Sequence, residues 1–140
     1  MADNCNSKIS IGIPSIDKEH LFLLSQISDV INGEGLVRFD PLSAFKHLIA
    51  IIRDHFAHEE QIMILQNYSE IADHIQRHNA FIMELEYAIA RLEAGDSMIS
   101  IDKLSFYKSW FLGHITTQDR AFGQFLLHKQ SERALLPNDE

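Results

Sequence analysis

The sequence predicts an all-α fold, an up-down-up-down antiparallel four-helix bundle. Three observations carry the prediction. Apolar residues recur at steps of three and four along four segments, the period of a helix with one buried face. The connections between those segments are short, which sets neighbouring helices antiparallel. Almost nothing in the chain reads as strand. At 140 residues the chain suits one domain with one core.

The first helix is expected from about Ser15 to Ile31, with Ile16, His20, Leu23, Leu24, Ile27 and Ile31 on one face. Asn32, Gly33 and Gly35 stop it. Asp40-Pro41 opens the second, with Asp as N-cap and Pro at the first helical position. Its stripe is Leu48, Ile52, His55, Glu59 and Ile62, and it ends near Asn67. Ser69 is expected to cap the third, whose stripe is Ile71, His74, His78, Phe81, Leu85, Ala88 and Leu92; Gly95 ends it. Ser97 or Ser100 starts the fourth, marked by Leu104, Tyr107, Phe111, Ile115, Phe122 and Phe125. The domain reading is an N-terminal arm over 1–14, the bundle over 15–128, and a polar tail or linker over 129–140 that contains Pro137.

Composition narrows the function classes. Apolar residues make up 46% and charged residues 23%, as in globular chains. The formal charge of −8 argues against nucleic acid or an anionic membrane as partner. No stretch approaches the roughly 20 apolar residues of a membrane helix, so no membrane insertion is expected. The polar start and the lone Cys5, read as an inert thiol on the arm, fit a cytoplasmic protein. There is no glycine-rich phosphate loop and no CxxC pair.

The anomaly is a set of ligand-type residues on the apolar stripes: His20, His55, Glu59, His74, His78, His114 and Asp119. Burying seven such side chains is costly unless something satisfies them together. Residues at i and i+4 are helix neighbours, so His55 with Glu59, and His74 with His78, can each reach one centre. His114 and Asp119 are five apart, a rotation of roughly 140°, so they are expected to flank their stripe. His20 completes the set from the first helix. Structural zinc takes four ligands, and calcium or magnesium would leave the histidines idle. Five imidazoles and two carboxylates suit two first-row transition ions, iron foremost. Two octahedral ions offer about twelve positions. Five histidines, two bridging carboxylates and one bridging oxygen leave about one open, enough for a small diatomic ligand. The other histidines stay outside the set: His47 and His128 at the surface, and His58 beside the ligands or facing solvent. Glu60 is read as surface or as a neighbour of the ligands.

At these residues the chain resembles the hemerythrin family, specifically the single-domain bacteriohemerythrins. The matching segments are GIPSIDKEH (Gly12 to His20), HFAHEEQIM (His55 to Met63), YSEIADHIQRHNAF (Tyr68 to Phe81) and WFLGHITTQD (Trp110 to Asp119). The resemblance implies a non-haem di-iron centre in the bundle core. It gives His74, His78 and His114 to one iron and His20 and His55 to the second, which keeps the open site. Glu59, Asp119 and an oxo or hydroxo group would bridge the two, with dioxygen as ligand. Trp110, Phe111, Phe56, Ile27 and Ile115 are the candidate walls of a dry ligand pocket. Against the family pattern, Phe111 stands where Leu is usual and Phe122 where Tyr is frequent. Ser69 replaces a common Pro. The arm lacks its usual Trp, so looser packing is expected there.

The function implied is reversible dioxygen binding by a carrier, store or delivery protein, not an enzyme; no catalytic residue is assigned. The alternative is an oxygen- or redox-sensing input domain of a bacterial signalling protein, a chemotaxis receptor or a diguanylate cyclase. That reading brings a signalling output domain or redox partner. A peroxidase or nitric-oxide-handling enzyme comes behind both, with His58 its one acid–base candidate.

Overall fold

The computed structural model describes residues 9–33, 40–96 and 101–135. Helix α1 spans Pro14–Ile31, α2 Pro41–Leu65, α3 Ile71–Glu93 and α4 Ile101–His114. A π-helical turn, Ile115–Asp119, carries α4 directly into α5, Arg120–Leu135, and the three form one continuous fourth rod. Cys5, Gly35, Ser97, Ser100 and Pro137 lie outside the described residues. Helix α5 runs to Leu135, past the position where the polar tail is expected to begin.

Cross-helix pairs show the antiparallel order. Lys46 meets Glu93, Arg53 meets Glu86 and Glu60 meets His78, so numbers rise on α2 as they fall on α3. Glu84 with Lys103, Phe81 with Trp110 and His78 with His114 repeat the pattern between α3 and α4. The exposed ion pairs add little stability. Burial of the apolar stripes does the work, at roughly 1.5–3 kcal/mol for each fully buried large side chain.

Helix starts and stops follow local chemistry. Pro14 occupies the first turn of α1, and Asp17 accepts from Ile11 N–H at 2.9 Å and Ser10 Oγ–H at 2.8 Å. That ties down the arm. Ile9 and Ile11 are buried, and a Cβ on Gly123 would lie 2.0 Å from the Ile11 carbonyl oxygen. The described part of the arm therefore packs tightly against bare α5 backbone; the looser packing expected around Cys5 falls outside the described residues. Asp40 caps α2 by accepting from Ser43 N–H at 3.2 Å. Ser69 does not cap α3: the N-cap is Glu70, without a side-chain cap bond. The backbone decides this turn. Asn67 takes a left-handed φ of 56°, Tyr68 N–H returns to the Met63 carbonyl at 3.0 Å, and the helix starts one residue later than a Ser69 cap requires. Gly95, at φ 99°, ends α3 as expected.

The core has two apolar parts. The larger includes Ile16, Leu23, Ile27, Ile52, Phe81, Leu85, Tyr107, Phe111 and Ile115. The smaller is Met63, Tyr68 and Phe122. Ile62 sits only at its edge, because the step of four from Glu59 turns Met63 inward instead. All seven predicted ligand residues are buried in the same core, on all four rods.

Candidate metal centre

His20, His55, Glu59, His74, His78, His114 and Asp119 are each between 0% and 3% exposed. They fall into two groups whose ligand atoms lie within 4.8 Å of one another. One group is His74, His78 and His114 with both carboxylates; the other is His20 and His55 with the same two carboxylates.

The carboxylates divide their oxygens between the groups. Glu59 Oε1 lies 2.8 Å from His74 Nε2 and 3.2 Å from His78 Nε2. Its Oε2 lies 3.2 Å from His55 Nε2 and 3.5 Å from His20 Nε2. Asp119 Oδ1 lies 2.9 Å from His74 Nε2 and 3.1 Å from His114 Nε2, whereas Oδ2 lies 3.0 Å from His20 Nε2. Each acid thus offers one oxygen to each side.

His114 and Asp119 share a face, contrary to the expectation that they flank it. The reason is the π turn, in which Arg120 N–H donates to the Ile115 carbonyl five residues back. The wider turn brings i and i+5 into line, where an α-helix would separate them by roughly 140°. Thr116 and Thr117 reinforce the irregular turn by donating their hydroxyls to the carbonyls of Leu112 at 2.9 Å and Gly113 at 2.6 Å.

The donor set fits cations. Among the described residues, the buried side-chain atoms without a hydrogen-bond partner are the Tyr107 hydroxyl and seven atoms of this cluster. Those seven are both ring nitrogens of His20, His55 Nε2, Glu59 Oε2, His114 Nδ1 and both Asp119 oxygens. His20 Nε2 and Asp119 Oδ2 are close but not aligned as a hydrogen bond, as two ligands aimed at a shared ion are. His78 Nε2 faces His114 Nε2 at 3.0 Å. With His78 Nδ1–H donating to Glu60 at 2.7 Å, its Nε2 carries a lone pair that a cation would satisfy. Each unsatisfied buried group costs about 1–3 kcal/mol, so seven approach the whole stability of a small domain.

Without a metal, protons take its electrostatic place. Burial opposes charge on His55, but the hydrogen bond to Glu19 and the neighbouring Glu59 carboxylate outweigh it and raise its pKa to about 9. Burial likewise opposes charge on His74, which Asp119 and Glu59 raise to about 9. His20 is raised too, its burial overcome by Asp119 and Glu59. Burial lowers His114 despite Asp119. Burial pushes Glu59 up, yet His20, His55, His74 and His78 hold it well below its ordinary range. Asp119 is also lowered: burial and the Glu59 charge act against ionisation, and His114, His20 and His74 prevail.

Neighbours orient the rings. His55 Nδ1–H donates to Glu19 Oε1 at 2.8 Å, and His58 Nδ1–H donates to Glu19 Oε2 at 2.7 Å. Glu19 was not among the expected site residues. Its signal is adjacency to His20, as Glu60 is adjacent to Glu59. Phe56 stacks on His78 at 3.7 Å between centroids, and Trp110 stacks on His114 at 4.8 Å. Trp110 thus lies on the three-histidine side. Phe111 stands edge-on to His20 at 6.1 Å and tilted to His55 at 6.0 Å. Ile27 and Ile115 are buried in the larger apolar cluster. Phe122 packs on Tyr68 in the smaller apolar part of the core, with Met63. His47 is exposed, and exposed His128 pairs with Glu132.

A helical bundle with two histidine groups sharing two carboxylates defines a class, proteins that hold a pair of metal ions between their helices. The model of the hemerythrin HHE cation binding domain matches residues 12–126. The chain belongs to the hemerythrin family, whose domain holds non-haem iron. It is 25% identical to a bacteriohemerythrin of Stenotrophomonas maltophilia over 115 residues, covering 81% of this chain and 74% of that protein. It is 26% identical to a myohemerythrin of Riftia pachyptila over 105 residues, 75% of this chain and 78% of that one. A myohemerythrin-1 of Phascolopsis gouldii is 32% identical over 74 residues, 53% of this chain and 56% of that one. No solved structure matches significantly. No helix among the described residues is long and apolar enough to cross a membrane.

Proposed function

We propose that the protein binds dioxygen reversibly at a pair of iron ions, as a carrier, store or delivery protein rather than an enzyme. The observation that supports this is the unequal division of the site, three histidines against two, about two shared carboxylates. His74, His78 and His114 would hold one ion; His20 and His55 would hold the other; Glu59 and Asp119 would serve both. With fewer protein ligands, the second ion keeps a position for a small ligand. When bound, a ferrous pair supplies the two electrons with which dioxygen is held and later released.

The chain supplies the surroundings. Five neutral imidazoles and two carboxylates leave an ion pair with net positive charge, which disfavours the high oxidation states that oxidising enzymes use. Phe111, fully buried beside His20 and His55, keeps water from the two-histidine side. A cleft of about 220 Å³ between α1 and α2, lined by Glu19, Phe22, Leu23, Ile51, Asp54 and His55, reaches that side from the surface. An oxygen-sensing domain would use the same residues, with a partner reading the state of the site.

The test is to load the protein with ferrous iron without air, admit air, and record the visible spectrum. The expected result is two ions per chain and a charge-transfer band that appears with air and fades under vacuum. Failure to take up iron, uptake of a single ion, or irreversible oxidation with release of peroxide would overturn the proposal.

A further inference from the structure

The geometry points to His58 as a positioning residue for the two-histidine side of the centre, acting through Glu19. The inference rests on the two-ion reading of the site and adds a residue to it.

His55 and His58 are three apart on α2, so both rings lie on the edge that faces α1. Glu19 reaches across from α1 and uses both oxygens, one for each ring, at 2.8 and 2.7 Å. The His55 ring is buried, whereas His58 and Glu19 have side chains 37% and 35% exposed. The three groups form a chain from the surface to a ligand. A glutamate side chain that is one-third exposed has several rotamers available to it. One hydrogen bond to His55 leaves it free to swing about that contact. The second, from His58, fixes the carboxylate at both oxygens.

The consequence for His55 is directional. Its Nδ1–H is aimed at Glu19, so its Nε2 is aimed at Glu59 Oε2 and the two-histidine ion. Outer hydrogen-bond partners of this kind fix the tautomer and orientation of a ligating imidazole. The three-histidine side has its own partner, Glu60 on His78, whereas the hydrogen bond of His58 goes to Glu19 on the two-histidine side. The effect of His58 is therefore confined to one ion. No ionisation of His58 is needed, since its N–H donates in the neutral ring.

Two measurements test this. In the first, protein loaded with cobalt(II) is mixed with excess EDTA and the release of each ion is timed. Direct outer partners of a ligand change metal affinity by about 10–100-fold, so Glu19→Ala should speed release of one ion by that order and His58→Ala by about 3–10-fold. The other ion should keep its wild-type rate. His58→Gln, which can still donate to Glu19, should restore the wild-type rate. Adding His58→Ala to Glu19→Ala should change nothing further. Equal acceleration of both ions, no acceleration, or additive effects of the two variants would overturn the inference. In the second, proton exchange of the His55 ring N–H is followed by NMR in the metal-free protein. Protection should fall severalfold in His58→Ala and return in His58→Gln; unchanged protection would overturn the inference. Uptake of fewer than two ions by the wild type would defeat the two-ion reading instead, and the ring N–H measurement would still decide the clamp.

Discussion

The three-histidine side of the centre is held by stacked rings together with the His78–Glu60 hydrogen bond, and the two-histidine side by hydrogen bonds that lead outward through Glu19 to His58. Phe56 lies flat on His78 and Trp110 flat on His114, with Phe81 stacked on Trp110 in turn at 4.0 Å. Such rings resist displacement, because moving one strips packing from the next. On the other side Phe111 touches His20 and His55 only edge-on or tilted, and His55 leans on Glu19 and His58 at the α1/α2 seam. The lesson is a division of labour. One side is packed ring on ring, and the other has fewer histidines and borders a cleft that opens to the surface at His55.

The largest expected effect comes from removing what the sides share. Glu59→Ala should abolish loading of both ions, read by metal analysis of the purified protein, because each side loses an oxygen and His20, His55, His74 and His78 lose their common counter-charge. Retention of either ion at full affinity would show that the sides do not depend on a shared bridge. Next is His20→Ala, which should reduce loading from two ions to one by sparing the three-histidine side. Equal loss from both sides would contradict the partition.

A third experiment concerns the turn that aims Asp119 at both sides. Deleting exposed Thr117 removes the extra residue and leaves His114 four positions from the aspartate, again on one face of a plain α-helix. Two ions should still load. Their loss would mean that the π turn does more than set register.

The smallest effect is the pH dependence of the metal-free protein. His55 and His74 rise from an ordinary 6.5 to about 9, because Glu19, Glu59 and Asp119 outweigh burial. Their contribution to stability is thus complete below about pH 6.5 and lost as pH climbs through about 9. Thermal unfolding of the metal-free protein should therefore move to lower temperature over that window. The loaded protein should not follow, since ions replace those protons and bind better as imidazoles deprotonate. A common pH profile for the two forms would refute the idea that protons stand in for metal.

Legibility from sequence divides along physical lines. The four rods and their buried faces follow from apolar spacing, and five of the seven candidate ligands, His20, His55, Glu59, His74 and His78, fall on those faces by α-helical arithmetic alone. His114 and Asp119 do not share a face by that arithmetic, because a π turn changes the period locally and nothing in ITTQD announces it before the residues on either side are known. Ser69 misleads for a related reason: cap preference is weak beside a turn fixed by left-handed Asn67 and the Tyr68-to-Met63 bond. Glu19 escapes notice, and Glu60 stays open between surface and neighbour of the ligands, because an acid on a helix edge reads as solvated until the facing helix is in place. Which side Trp110 serves could not be read from spacing either, since it depends on the ring that it meets across the bundle.

The central claim is that one chain holds two iron ions in unequal surroundings joined by shared carboxylates. Mössbauer spectra of protein loaded with enriched iron and then exposed to dioxygen test it most directly. The account predicts two doublets of equal area, one for each side. A single doublet, or one iron per chain, would contradict it.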